Sequence, residues 1–201
     1  MTQVPVRRTT LGLQLTLAAW LVAALTAGAT GVIARSPIPL PAVAVVLTLA
    51  ILLAYRVAPA ARRQVDAVPT AALVRLHAVR IIAGANFLRL AGAGALPVEF
   101  AGAAGWGDIA VGIGAVLVLA FCVPPRTPGR RRALLAWNAL GLVDILLVLG
   151  NAARLFLADP DFGGPFTSLP LSLLPTFLVP LVIASHVLLF ARHWRPSAPT
   201  P

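Results

Sequence analysis

The sequence predicts an all-α fold, a polytopic integral membrane helix bundle with six transmembrane helices, and three observations carry that prediction. Of 201 residues, 59% are strongly apolar and 11% are charged, against roughly 25% charged in an ordinary soluble domain. So little charge cannot clothe a water-facing surface. The apolar residues also gather into stretches that suit a hydrocarbon core about 30 Å thick, which takes about 20 residues of helix to cross. Finally, the joints between these stretches are short and rich in Pro and Arg. Disorder is excluded by the same composition, because that much apolar surface does not stay in water.

The predicted spans are 11–34, 40–57, 70–91, 106–123, 133–157 and 169–191, in one membrane domain over residues 1–201. The first follows Arg7 and Arg8 and contains Ala27-Gly28-Ala29. An arginine pair, an apolar run and an A-x-A triplet imitate a cleavable signal, yet five more spans follow, and an uncleaved first helix is the expectation. The second span is short and tilts little or gains a turn; Pro37, Pro39 and Pro41 precede it and Pro59 follows it. The third begins after Pro69 and holds Arg75, His77, Arg80, Asn86 and Arg89. At about 100° per residue, Arg75, Asn86 and Arg89 share one face while His77 and Arg80 lie on the other side. That distribution does not suit a surface helix with one dry side, so a spanning helix enclosed by the others is expected.

Before the fourth span lie Leu96-Pro97-Val98-Glu99-Phe100 and Ala104-Gly105-Trp106-Gly107-Asp108, and the Pro and paired Gly predict a re-entrant or bent start. Pro124, Pro125 and Pro128 separate it from the fifth span, in which Trp137, Asp144 and Asn151 repeat every seventh residue and form a polar seam. Pro160 and Pro165 follow. The sixth span carries Pro170, Pro175 and Pro180, each predicting freed carbonyls and a kink. Tyr55, Trp106 and Trp194 read as aromatic anchors at the two membrane interfaces. No residue pattern in the first three spans returns in the last three, so an inverted repeat is unsupported.

All 16 basic residues are Arg, and with 6 acidic ones the net charge is +10. A nucleic-acid reader would collect such charge on one face; here the arginines cluster between apolar runs, and nucleic acid is excluded as a partner. Short cytoplasmic loops carry the positive excess. Arg7, Arg8, Arg56, Arg62, Arg63, Arg126, Arg130, Arg131, Arg132, Arg192 and Arg195 fall on one side, against Arg35, Arg89 and Arg154 with Glu99, Asp159 and Asp161 on the other. Both termini are therefore expected in the cytoplasm. Arg without Lys, with abundant Ala and Pro, matches a GC-rich bacterial genome and predicts the bacterial cytoplasmic membrane. Cys122 is the sole cysteine, so no internal disulfide and no cysteine-built metal site forms.

An ionisable residue deep in a spanning helix costs roughly 2.5 to 3.5 kcal/mol by insertion scales and needs a partner. Arg80 and Asp144 lie at matching depths in the third and fifth spans, and a guanidinium fork suits a carboxylate there. They are expected to pair, as a structural ion pair or as a proton- or substrate-coupled site. A second cluster is predicted toward the outer side from Arg89, Asn86, Glu99, Asp108, Asn151 and Arg154, with Asp108 alternatively capping its own helix. His77 and His186 lie at similar depth, as hydrogen-bonded packing residues with Ser185 and Asn138 as partners, or as a weak bis-histidine haem candidate. No cofactor, metal or catalytic residue is otherwise assigned: no P-loop, GxSxG, HExxH or CxxC pattern occurs.

At Arg80-x3-Gly84-x2-Phe87-Leu88, Leu96-Pro97-x2-Phe100-Ala101 and Ala104-Gly105-x-Gly107-Asp108, the chain resembles a group of small bacterial multi-spanning membrane proteins described as hypothetical. The resemblance implies a bacterial integral membrane protein and brings no activity. The residues themselves favour a carrier or binding protein for a small solute or ion. The alternatives are a non-catalytic membrane subunit or assembly factor, and a membrane-embedded redox or haem protein. The lipid bilayer, a small solute, and a second copy or another membrane subunit are the partners this reading calls for.

Overall fold

The computed structural model describes residues 5–36, 38–159 and 161–194. Pro37, Pro160, Arg195 and the side chains of Arg7 and Arg8 lie outside the described residues. The helices are α1 (Pro5–Ala29), α2 (Leu40–Val57), α3 (Pro59–Asp66), α4 (Thr70–Leu76), α5 (Val79–Gly92), α6 (Val98–Phe121), α7 (Pro128–Ala158) and α8 (Val179–His193). A 3-10 turn (Gly164–Thr167) and a π turn (Leu174–Leu178) lie between α7 and α8. No strand occurs among the described residues. Six stretches are long and apolar enough to cross a membrane: Leu11–Ala29, Leu40–Val57, Thr70–Gly92, Val98–Phe121, Pro128–Ala158 and Leu174–His193. The chain is an all-α membrane protein.

Proline sets several of the starts, because its ring fixes φ near the helical value and its missing N–H is no loss in a first turn. α3 and α7 begin on Pro59 and Pro128, and α6 begins directly after Pro97. Glycine sets two of the stops. Gly31 and Gly94 adopt φ of +71° and +69°, a left-handed conformation that costs glycine little and ends a helix. For that reason the first span closes at Ala29 and not at residue 34.

Other boundaries differ from expectation as well, the fifth span starting at Pro128 and not at 133. The fourth span starts at Val98 rather than 106, with no bend or re-entrant segment: Gly105 and Gly107 lie inside one continuous helix. The third span is divided at His77–Ala78, where Arg80 N donates to His77 O (3.1 Å) and Ile81 N to Ala78 O (3.2 Å), a three-residue spacing that tightens the turn. The last span begins at Leu174 and not at 169; Pro170 precedes it, and Pro175 and Pro180 fall at its start.

The chain forms two compact units. One comprises residues 1–69 and 149–181. Within it the indole N–H of Trp20 donates to Thr176 O (2.9 Å), and its ring meets Phe177 edge-on with centroids 5.0 Å apart. Thr176 is four residues before Pro180, whose absent N–H leaves that carbonyl without its helical donor; Trp20 supplies one. Gly28 fits against Leu169 and Ser172, leaving no room for a Cβ. At the end of α2 the Tyr55 hydroxyl donates to Asp66 Oδ1 (3.0 Å), and Arg62 faces Asp66 at 3.7 Å on an exposed surface. Leu15, Val22, Val46 and Leu53 point outward, which is unfavourable in water and unremarked in lipid.

The other unit comprises residues 70–148 and 182–201. Here α5 and α6 pack through glycine. A Cβ on Gly84 would strike the Gly105 carbonyl, one on Gly105 would meet Leu88, and one on Gly112 would meet Ile81. Small residues let membrane helices approach closely and gain van der Waals contact, which drives association where no hydrophobic force exists between apolar helices. Phe87 and Phe100 close the seam edge-to-face at 5.7 Å.

Candidate functional site

The polar residues of the second unit collect where α5, α6, α7 and α8 enclose them. Arg80 is buried in the first turn of α5. Its Nε donates to Asp108 Oδ1 of α6 (2.6 Å), its Nη1 to the Gly141 carbonyl of α7 (3.1 Å), and its Nη2 to Asp144 Oδ2 of α7. A guanidinium presents several N–H groups in a rigid plane, and here three directions of that plane are met by one carbonyl and two carboxylates. The side chains of Arg80 and Asp108 are 3% and 6% exposed, while that of Asp144 is 23% exposed. Asp144 is therefore the open edge of the cluster. Close approach again depends on glycine: Gly107 lies so tightly on Asp144 that a Cβ there would overlap Oδ1.

The expected pairing of Arg80 with Asp144 is present, and Asp108 joins it. Asp108 thus belongs to the interior ion cluster and not to an outer one, and it does not cap its helix, which starts ten residues earlier at Val98. The remaining outer asparagines pair locally. Asn86 accepts from Arg89 three residues along α5 (3.0 Å). Asn151 accepts from Arg154 three residues along α7 (2.9 Å), in the other unit. Glu99 is exposed in the first turn of α6.

Beside the ion cluster, His77 and His186 are fully buried with ring centroids 4.1 Å apart and planes inclined at 43°. A bis-histidine haem requires the imidazoles on opposite faces of a macrocycle, and rings already in contact leave no slot for one. Ser185 Oγ lies 3.0 Å from His77 Nε2 and donates to Val182 O (2.8 Å). Asn138 Nδ2 donates to His186 O (3.0 Å), and its Oδ1 lies 2.8 Å from His186 Nδ1. The two partners expected for the histidines are the two found. Trp137 stands edge-on to His77 at 5.1 Å, with its indole N–H donating to Val111 O (3.0 Å). Gly141 ties the groups together: its carbonyl takes Arg80, and a Cβ on it would strike the His186 ring. Gly141 and Val111 carried no sequence signal, since each acts through its backbone carbonyl. His193 near the end of α8 contacts Thr70 Oγ1 (3.1 Å). No cluster of three or more metal-ligating side chains occurs among the described residues.

These features define a helical membrane protein with an ionised network enclosed in one of its two units. Residues 37–193 match the family described as Domain of unknown function (DUF8737), and the chain belongs to that family. No curated protein and no solved structure matches the chain.

Proposed function

We propose that the protein is a carrier for a small cation or cationic solute, working in the bacterial cytoplasmic membrane with both termini in the cytoplasm. One observation carries the reading: Arg80 is matched by two carboxylates, not one. By formal charge the cluster holds one surplus negative charge in an interior where unbalanced charge is costly. Such a site selects a positive ligand, and Asp144, the most exposed member, is where that ligand arrives. Asp108 and Arg80 hold Asp144 in place. The orientation rests on arginine placement, with Arg62 and Arg63 in α3 and Arg130, Arg131 and Arg132 at the start of α7.

The test is flux of sodium, potassium and methylammonium into proteoliposomes. The wild-type chain exceeds empty liposomes for at least one of them; Asp144→Asn abolishes that flux while remaining folded and monodisperse in detergent. Flux unchanged in Asp144→Asn, or wild-type flux no greater than that of empty liposomes for all three, overturns the carrier. Reporter fusions at the two ends check the orientation, which fails if they land on opposite faces.

A further inference from the structure

The hydrogen bonds around the two buried histidines fix which ring nitrogen carries hydrogen in each. Asn138 Nδ2 faces the His186 carbonyl, which only accepts, so the amide is oriented and its Oδ1 is the atom facing His186 Nδ1. An amide oxygen only accepts; Nδ1 of His186 therefore bears the proton and Nε2 is a bare lone pair. Ser185 Oγ lies 2.8 Å from the Val182 carbonyl, a separation that two oxygens adopt only with hydrogen between them. The single hydroxyl proton is thereby committed, so Ser185 accepts from His77 Nε2–H, and Nδ1 of His77 is also a bare lone pair. These two nitrogens, His77 Nδ1 and His186 Nε2, are buried and meet no hydrogen-bond partner among the described residues. Two unmatched acceptors in contacting rings, each on a fully buried residue, call for a positive ligand.

A metal ion does not suit the geometry. Bridging the two nitrogens at about 2.0 Å from each would hold the ring centres about 5 to 6 Å apart, farther than the 4.1 Å found. A proton needs no such separation. The charged group beside the pair is Arg80 from α5, itself bound by Asp108 from α6 and Asp144 from α7, and α8 adds the neutral Ser185; His193 lies about two turns further along α8. The formal sum of Arg80 and its two carboxylates is one negative charge, so one proton on the imidazole pair makes the whole cluster neutral. A second would restore an unbalanced charge and place two cations in contacting rings.

We infer that His77 and His186 together form a one-proton binding site inside the membrane, set against the Arg80–Asp108–Asp144 cluster. The step is the transfer of one proton from hydronium to a nitrogen lone pair: one O–H bond breaks, one N–H bond forms and a water molecule is left. The site deepens the carrier reading, on which its role in coupling rests; as a proton site it stands on the hydrogen bonds alone.

Nuclear magnetic resonance of isotope-labelled histidine in nanodiscs tests it without a substitution, because the chain has only 3 histidines. At alkaline pH, His77 shows hydrogen on Nε2 and His186 on Nδ1. On acidification both change together in one step that takes up a single proton, while His193 follows its own course. His186→Gln loses the shared step. Opposite tautomers, no step, or uptake of two protons would each overturn the proposal, as would a protonated-carboxyl infrared band that disappears in Asp144→Asn. If the shared step is present and no cation moves in proteoliposomes, the proton site stands and the carrier falls.

Discussion

Trp20 and Arg80 each bring a nitrogen donor into an apolar interior, one in each unit, and what they meet there differs. Trp20 gives one neutral hydrogen bond to a carbonyl that Pro180 left without a donor, so a local defect is repaired by one side chain. Arg80 brings a full charge and meets three acceptors on two helices, two of them charged as well. A neutral bond of the first kind contributes about 0.5 to 1.5 kcal/mol. A buried ion cluster gains little over well-packed apolar residues but is severely damaged when one member is removed. The difference teaches that the first arrangement needs no explanation beyond folding, whereas the second is retained at a cost that folding alone does not recover.

The sharpest way to break this comparison is Arg80→Leu. It strands two carboxylates, and the expected loss is roughly 3 to 5 kcal/mol, read as failure to accumulate in the membrane or as a collapsed thermal transition in detergent; a loss as mild as that of Trp20→Phe would erase the contrast. Next comes Gly84→Val, which forces a branched side chain against the Gly105 carbonyl, Ile109 and Asp108. It should cost about 1 to 3 kcal/mol and lower flux in proteoliposomes, because it pushes α6 and with it Asp108. Trp20→Phe keeps the ring contact with Phe177 and drops the bond to Thr176, for an expected loss of about 1 kcal/mol with flux intact. The smallest effect belongs to Arg62→Ala. Its ion pair with Asp66 is exposed on both sides, and such pairs contribute about 0 to 1 kcal/mol; a thermal shift approaching that of Arg80→Leu would remove burial as the deciding variable.

Much of the architecture was legible because hydrocarbon thickness imposes a length that composition reveals directly. The Arg80–Asp144 pairing was legible for a related reason: two charges at equal depth in different spans have few other ways to offset desolvation. Asp108 was misplaced because Pro97, Gly105 and Gly107 resemble the punctuation that interrupts a soluble helix. Inside a membrane helix the same glycines serve contact, and nothing in their spacing distinguishes the two uses. The division at His77–Ala78 carries no proline or glycine to mark it. The acceptor role of Gly141 belongs to the backbone, where side-chain identity is silent, and the tautomers of His77 and His186 depend on neighbours 48 and 108 positions distant.

The partners of Arg80 lie 28 and 64 residues after it in the chain, and the span that holds it is the least apolar of the six. During synthesis this segment emerges before either carboxylate exists. A lone guanidinium is poorly tolerated in lipid, so the segment remains beside the insertion machinery or at the bilayer surface until the later helices arrive. Biogenesis of this half of the protein is then a joint event, and a ribosome stalled before Asp144 would leave an early intermediate still open to extraction by alkali.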